Sequence, residues 1–233
     1  MIGVPLAAAD DYPTPLIERP MSLNPSTFQL TAAYEYLGVL SGDDSGGIGS
    51  LVFAGDYTLF PKLQVGAIAV VDVTPESRFG AALLNGQYEF LKFAAIRADI
   101  GITNGANTNG SFGVGLPIRL KLTDMFAFIS GRPYAYGAED DILIAGVGTG
   151  SATLFQIPLG LLIQLTPHIS VAARSGFREV SSAEFVPVGI DATIESSRVD
   201  FGVMFDFGGQ IAPSEAPGFF HTQQFRLWAQ LRI

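Results

Sequence analysis

The strongest pattern in this chain is a repeated alternation of apolar residues with polar or small ones, in segments about ten residues long. Residues 110–122 show it best, because apolar side chains occupy every second position from Phe112 to Leu122. Arg119 and Lys121 lie at the intervening positions. Successive side chains of a β-strand point to opposite faces, so this pattern predicts a strand with one apolar face and one face that tolerates water.

The composition restricts where the apolar face can lie. Hydrophobic residues make up 48% of the chain and charged residues only 15%, and the mean hydropathy is +0.35. Charged residues are about a quarter of an ordinary soluble domain. No run of about 18 uninterrupted apolar residues is present, so we do not expect a membrane-spanning helix. The two remaining solutions are a large buried β core and a barrel that faces lipid, in which every backbone polar group is paired.

The spacing of the connections favours the barrel. Short turns are expected at Pro61-Lys62, Leu91-Lys92, Thr123-Asp124, 166–168 and 195–197, and they alternate with longer connections rich in Gly, Asp and Ser. Transmembrane barrels have this asymmetry and an even number of strands. We predict an all-β fold, a closed antiparallel up-and-down transmembrane β-barrel of about twelve strands. The predicted strands are 27–38, 49–60, 63–73, 79–90, 93–103, 110–122, 125–136, 151–165, 169–179, 185–194, 198–208 and 222–233.

Two features of these strands are unusual for such a barrel. Four prolines fall inside predicted strands, where each removes a backbone hydrogen-bond donor, so we expect bulges, strand ends or breaks in register there. These are Pro117, Pro133, Pro158 and Pro187. The predicted inner face is also less polar than that of a water-filled pore. It carries Val52, Ile68, Val70, Leu154, Leu162 and Trp228.

The first 26 residues contain five prolines and have no sustained periodicity. We predict that residues 1–26 form an irregular N-terminal arm and that residues 27–233 form the barrel. The arm either extends away from the barrel or folds into its lumen as a plug. It is too rich in proline to make the pore-threading helix of an autotransporter translocator.

Charged residues on the predicted inner face are the main functional signal. Acidic residues come mainly from the first five strands and basic residues mainly from strands five to nine. Opposed arcs of charge would create a transverse field of the kind that charged rings use to select solutes. The alternative is that these groups pair into a salt-bridged plug, and a twelve-strand barrel is compatible with both. The predicted pore-lining residues are Glu35, Asp56, Arg97, Asp99, Arg119, Lys121, Arg132, Arg174, Arg178, Asp206 and Arg226.

Other functional classes have less support. The net charge of −9 argues against a nucleic-acid partner, since phosphate binding needs a basic patch. The absence of cysteine excludes disulfides and thiolate metal sites. Neither His168 nor His221 has a recognisable catalytic partner, so we predict no catalytic residues and no enzyme activity. The acidic stretches 43–44 and 139–141 lack a spaced pattern of Ca²⁺ ligands, and we expect neither a metal site nor a cofactor.

The alternating segment Phe225–Ile233 looks like the C-terminal signal that the outer-membrane assembly machinery reads. With this segment, residues 27–233 resemble the bacterial outer-membrane β-barrel proteins, and porins in particular. The resemblance implies an integral protein of the outer membrane, with short turns and both termini in the periplasm and longer loops outside the cell. It implies outer-membrane lipid and the assembly machinery as partners.

The same resemblance implies a narrow pore for passive passage of small solutes or ions. Two alternatives stay open. One is an occluded structural or docking barrel that binds cell-envelope partners, and the other is a transporter that moves hydrophobic substrates past an N-terminal plug. A soluble lipocalin-like or sandwich fold is the remaining structural alternative.

Overall fold

The computed structural model describes residues 12–39, 46–104, 108–130, 142–147, 154–180, 183–210 and 222–233. Nearly all of these residues belong to one antiparallel sheet. Its strands are β1 (Phe28–Val39), β2 (Gly46–Phe60), β3 (Leu63–Thr74), β4 (Arg78–Leu91), β5 (Ala94–Asn104), β6 (Thr108–Leu116), β7 (Ile118–Lys121), β8 (Phe126–Ser130), β9 (Ile142–Val147), β10 (Leu154–Thr166), β11 (Ile169–Val180), β12 (Ala183–Ile194), β13 (Val199–Gln210) and β14 (Thr222–Arg232).

The sheet closes on itself. The last strand, β14, pairs with β1 from Gln29–Arg232 to Val39–Thr222, and β10 pairs with β11 along almost its whole length. A closed ring leaves no strand edge without a partner, which is what a wall in lipid requires. The predicted closed antiparallel barrel is therefore confirmed.

The strand segments fill twelve positions in the ring. β6 and β7 form one strand that is interrupted at Pro117, and β8 and β9 lie end to end along it. Leu116, at the end of β6, pairs with Ile142 of β9, and Ile118, at the start of β7, pairs with Ser130 of β8. The twelve-strand count made from the sequence is confirmed.

One part of the strand prediction is wrong. The interval between the predicted strands 125–136 and 151–165 was expected to be one of the longer connections, but Ile142–Val147 form β9. β8 ends at Ser130 and covers only β7, so the backbone of β6 needs another partner. The sequence Ile-Leu-Ile-Ala-Gly-Val does not alternate apolar with polar residues, and the periodicity therefore does not reveal this strand. Residues 131–136, also predicted as strand, lie outside the described residues.

Five short connections lie at one end of the barrel, which we call the turn end. They are residues 61–62, 92–93, 122–125, 167–168 and 195–198, at the positions predicted from the sequence. The first and last strands also meet there, because Phe28 N donates to Ile233 O (3.0 Å) and Ile233 N donates to Phe28 O (2.8 Å). We call the opposite end the loop end.

The two faces of the wall differ as the alternation predicts. On the outer face, Leu84 and Ile100 are directly opposite each other, and each is 65% exposed. At the adjoining inner positions, Asn85 pairs with Asp99, which is buried. An apolar exterior around a polar interior is the arrangement of a transmembrane barrel. Among the described residues, no helix is long and apolar enough to cross a membrane.

The interior also contains an apolar cluster around Trp228. The indole ring lies against Gly202, where a Cβ atom would stand 2.2 Å from the ring, so glycine is required at that position. The apolar inner-face residues expected from the sequence therefore pack against one another in part, and the lumen is not lined by polar groups alone. The other members of the cluster are Ala33, Val52, Ala54 and Ile68.

We expect Leu84→Arg to destabilise the barrel in bilayers. Leu84 lies near the middle of β4 on the outer face, where an arginine costs about 2–4 kcal/mol of folding free energy. The matched control is Ser77→Arg, in the exposed connection between β3 and β4. Equilibrium unfolding in lipid vesicles measures both, and equal stabilities would argue against lipid contact at Leu84.

Candidate functional site

The turn end of the lumen is occupied by the chain's own N-terminal segment, which we define as residues 12–26. The segment is irregular apart from a short 3-10 helix at Leu16–Glu18. Six of its residues are at most 7% exposed, and all of these lie inside the barrel, where the wall surrounds them. They are Tyr12, Leu16, Ile17, Arg19, Ser22 and Leu23.

Arg19 is the main anchor of the N-terminal segment. Its Nη1 lies 2.7 Å from Asp200 Oδ2 and its Nη2 lies 3.0 Å from Asp200 Oδ1, which is a bidentate pair with a fully buried carboxylate. The other guanidinium N–H groups donate to the backbone carbonyls of Pro13 (2.8 Å), Thr14 (2.7 Å) and Ser196 (3.0 Å). The planar guanidinium therefore uses its fork of donors on both the segment and the wall.

Asp200 also pairs with Arg232 of the last strand. Two guanidinium groups thus share one carboxylate, and Tyr12 lies against both of them. The Tyr12 ring centroid is 5.4 Å from Arg19 Cζ and 4.7 Å from Arg232 Cζ. The negative face of an aromatic ring attracts cations, so Tyr12 offsets part of the repulsion between the two arginines.

Glu195 holds the short helix from one side of the wall. Its Oε2 accepts hydrogen bonds from Leu16 N (2.9 Å) and Gln164 Nε2 (2.8 Å), and Ser170 Oγ donates to its Oε1. Gln164 in turn accepts a bond from Ile17 N (3.3 Å). Glu195 is only 2% exposed, so each of these donors stabilises a buried charge.

The opposite side of the wall holds the end of the segment. Glu89 Oε2 accepts from Ser22 N (3.0 Å) and Ser22 Oγ (3.1 Å), and Gln64 Oε1 accepts from Leu23 N (3.3 Å). Gln87 donates to Met21 O. The segment is therefore fixed by side chains from both sides of the ring.

Two predicted pore-lining residues contact this segment. Arg119 Nη1 donates to Leu16 O (2.8 Å), and Lys121 pairs with Glu18 and with Asp124 (2.8 Å). The hydrogen bond from Lys121 lowers the pKa of the Asp124 carboxyl below its usual value. The Lys121 pairs lie at the exposed rim, where ion pairs contribute little to stability.

A polar cavity of about 90 Å³ lies directly beside the segment inside the lumen. Asp56 and Arg97, both predicted to line a pore, face it together with Gln87 and Asn85. Gln87 Oε1 accepts from Arg97 Nε (2.9 Å) and Nη2 (2.6 Å), and Asp56 is hydrogen-bonded to Gln64 and Asn85. The cavity contains groups of both signs that could contact a hydrated solute.

The remaining described members of the predicted set lie along the wall, and opposite charges pair locally. Glu35 pairs with Arg226, its register partner across β1 and β14. Arg174 pairs with Asp191 and with Asp206 (2.7 Å), and Arg178 donates to Gln156 (3.0 Å).

Asp99 is buried opposite Asn85, and Arg132 lies outside the described residues. That these residues line an open path stays a prediction.

The sequence reasoning missed the residues that hold the segment, Arg19 and Glu195 above all. Arg19 is the only basic residue among residues 1–26, and a lone cation in a proline-rich arm needs a carboxylate if it is buried. That signal was available. Glu195 gave none, because it is part of a predicted tight turn and nothing local indicates that it reaches into the lumen.

The other sequence-level candidates add no chemistry. His168 lies in a turn with Nδ1 3.0 Å from Glu195 O. Within the part of the chain that the structure describes, no three acidic or histidine side chains come together as metal ligands. His221 and the acidic stretches 43–44 and 139–141 lie outside that part.

Comparison with known proteins supports the fold. No protein-family model matches the chain, and no curated protein matches it in sequence. Among solved structures, the KdgM porin superposes with a TM-score of 0.52 at 8% identity, covering 86% of this chain and 98% of the porin chain. The β domain of the Bordetella autotransporter BrkA gives a TM-score of 0.53 at 10% identity, covering 88% and 99%. The fold is that of an outer-membrane β-barrel. At these identities the likeness shows the fold alone.

We expect Arg19→Ala to release the N-terminal segment. The substitution removes the bidentate pair but leaves Asp200 with Arg232, so we expect a cost of about 1–3 kcal/mol and roughly tenfold faster cleavage of the segment. The rate of cleavage is measured with chymotrypsin, which can cleave after Leu16 and Leu23. A protease specific for arginine would lose its site in this variant. The control is Arg78→Ala, which removes the exposed arginine of the Arg78–Asp72 pair at the loop end. Equal protection of both variants would show that Arg19 is not the anchor.

Proposed function

We propose that this chain is a passive channel for small solutes in the bacterial outer membrane, and that its N-terminal segment closes the turn end of the lumen. The observation that supports this most directly is a closed barrel with an apolar exterior, a charged interior and the chain's own N-terminal segment inside it. One of the similar folds is named a porin. Both termini, together with the turn end, would face the periplasm.

The way the segment is held supports a closure that can open. Most of its contacts with the wall are hydrogen bonds to polar or charged side chains. Each has a net worth of about 0.5–1.5 kcal/mol between neutral groups and about 1.5–3 kcal/mol where a partner is charged, because water replaces the partner on release. Only Leu16 and Ile17 enter an apolar cluster with the wall, which includes Ile129 and Leu162. Burial of such side chains contributes about 1.5–3 kcal/mol each. The segment can therefore leave without exposing a large apolar core.

The local pairing of charges also favours a second candidate, an occluded docking barrel that binds envelope partners. If the inner charges serve only to neutralise one another, removal of the segment would open no path. The two functions therefore differ in one measurable property, the conductance of the barrel without its segment.

We expect purified full-length protein in a planar bilayer to stay closed for most of the recording, and a variant lacking residues 1–26 to give steady conductance steps. Arg19→Ala in the full chain is expected to open intermittently, because its segment is only weakened. Arg78→Ala is the matched control and should behave as the wild type. Silence from both the truncated and the Arg19→Ala proteins, with insertion and β structure verified, would reject the channel and favour the docking barrel.

The cavity charges predict the ion selectivity of the open form. We expect Asp56→Asn to lower the preference for cations and Arg97→Gln to raise it, because each removes one sign of charge from the same cavity. Reversal potentials in a KCl gradient measure the two shifts, which should have opposite signs. Glu76→Gln, in an exposed connection at the loop end, should give a much smaller shift. Identical potentials in all four proteins would exclude the cavity from the conducting path.

A further inference from the structure

The pairing between β11 and β12 is interrupted within the wall. These strands pair from Ile169–Ile194 to Arg174–Gly189 and again from Arg178–Phe185 to Val180–Ala183. Among the described residues of the two strands, 175–177 and 186–188 do not pair with each other. The register is the same on both sides of the interruption, so the strands separate and rejoin without an inserted residue.

The separation involves two of the prolines that were expected to disturb strands. Pro187 lies in the unpaired stretch of β12 and has no N–H to donate to β11. The residue opposite it is Gly176, with φ of 145°, and Gly176 pairs on its other side with Pro158 of β10. A Cβ atom at Gly176 would stand 2.3 Å from Ile157 O, so β10 packs tightly against this part of β11.

Each strand keeps its other neighbour through the interruption. Residues 175–177 remain paired with β10, and residues 186–188 remain paired with β13. The opening is therefore a local gap in an otherwise intact wall, and the barrel is not distorted as a whole.

The gap lies within the apolar outer band. Phe155 and Ile157 flank it on one side, and Val188 and Ile190 on the other, with exposures between 38% and 56%. Lipid cannot hydrogen-bond to backbone groups, so irregular backbone at this depth is tolerated only where it is buried in protein or lines a water-filled cavity.

A cavity does lie at this place. It has a volume of about 190 Å³, and its lining includes residues of both faces of the wall. Arg174, Pro187 and Asp206 are at inner positions of their strands, whereas Ser175 and Phe177 are at outer positions. Residues of both faces therefore border one cavity beside the gap.

The chemistry of the lining indicates an uncharged ligand. Arg174 already pairs with Asp191 and Asp206, and Arg178 donates to Gln156. A charged ligand would have to compete with these partners. The rest of the lining is largely apolar and includes Leu37, Pro158, Phe185, Pro187 and Phe207.

We propose that the gap between β11 and β12 is a lateral portal, through which small, uncharged, apolar molecules dissolved in the surrounding lipid move into the lumen. Such molecules are the proposed substrate class of the channel. Their entry through the gap does not depend on the proposed function, whereas their exit at the turn end rests on it. The apolar outer band brings such molecules to the gap by partitioning, and the cavity offers them a largely apolar site behind it.

The test closes the portal reversibly. Ser175 and Val188 are opposite each other across the gap, and the chain has no native cysteine, so Ser175→Cys with Val188→Cys can be bridged by a short bis-methanethiosulfonate linker and reopened with a reductant. The matched control is Leu51→Cys with Val71→Cys, an outer-face pair in the intact ladder between β2 and β3. The probe is 3-trifluoromethyl-3-phenyldiazirine, an uncharged aromatic molecule that partitions into lipid vesicles and labels nearby side chains on illumination.

We expect unbridged protein in vesicles to be labelled at Phe185, on the inner side of the portal, and at Ile190 on the outer face. Bridging residues 175 and 188 should lower the label at Phe185 at least fivefold, leave Ile190 unchanged and be reversed by the reductant. The control bridge should change neither.

An unchanged label at Phe185 in the bridged protein would overturn the portal, because the probe would then arrive by a route other than the gap. Absence of label at Phe185 in every form would overturn it as well. Bilayer conductance is measured separately, so portal-dependent labelling in a silent barrel would reject only the channel, and conductance without it would reject only the portal.

Discussion

The pairing of backbone polar groups, which lipid cannot provide, is the constraint on which this structure depends. It accounts for the closure of β14 onto β1 and for β9, a strand that continues the course of β8 along β6. The same constraint applies to the interruption in the pairing between β11 and β12. Residues 175–177 and 186–188 lack partners across the gap between β11 and β12. In a soluble sheet, water could bond to their backbone groups, but within an apolar band these groups must be buried in protein or line a water-filled cavity.

Much of the wall could be predicted from the sequence, because alternation and turn chemistry are local properties. The turns at residues 61–62 and 167–168 were found where proline interrupts the alternation. The inner positions of Val52, Ile68 and Trp228 followed from the alternation of side chains along each strand alone. β9 was missed because its pairing depends on where a neighbouring strand stops, which no local pattern records.

The interior was harder to predict than the wall. The alternation of side chains places Asp200 and Arg232 on the inner face. It does not show that both lie beside Arg19, which is 181 residues from Asp200 in the sequence. The pairing of Arg174 with Asp191 and Asp206 likewise depends on which strands are neighbours and on their stagger. Sequence alone identifies the charges that face inward, whereas the choice of partners is a property of the closed ring.

The meeting of the chain's two ends has a consequence for the order of assembly. Gln29 pairs with Arg232, so the seam between β1 and β14 joins the beginning of the barrel to its end and forms only when nearly the whole chain is in place. The anchor for Arg19 is built from β13 and β14, which follow the other described strands in the sequence and are synthesised after them. The segment precedes every strand of the wall in the sequence and is thus synthesised before them, yet it is among the last parts to reach its final position. An N-terminal segment bound inside the lumen therefore indicates that the wall of that molecule has closed.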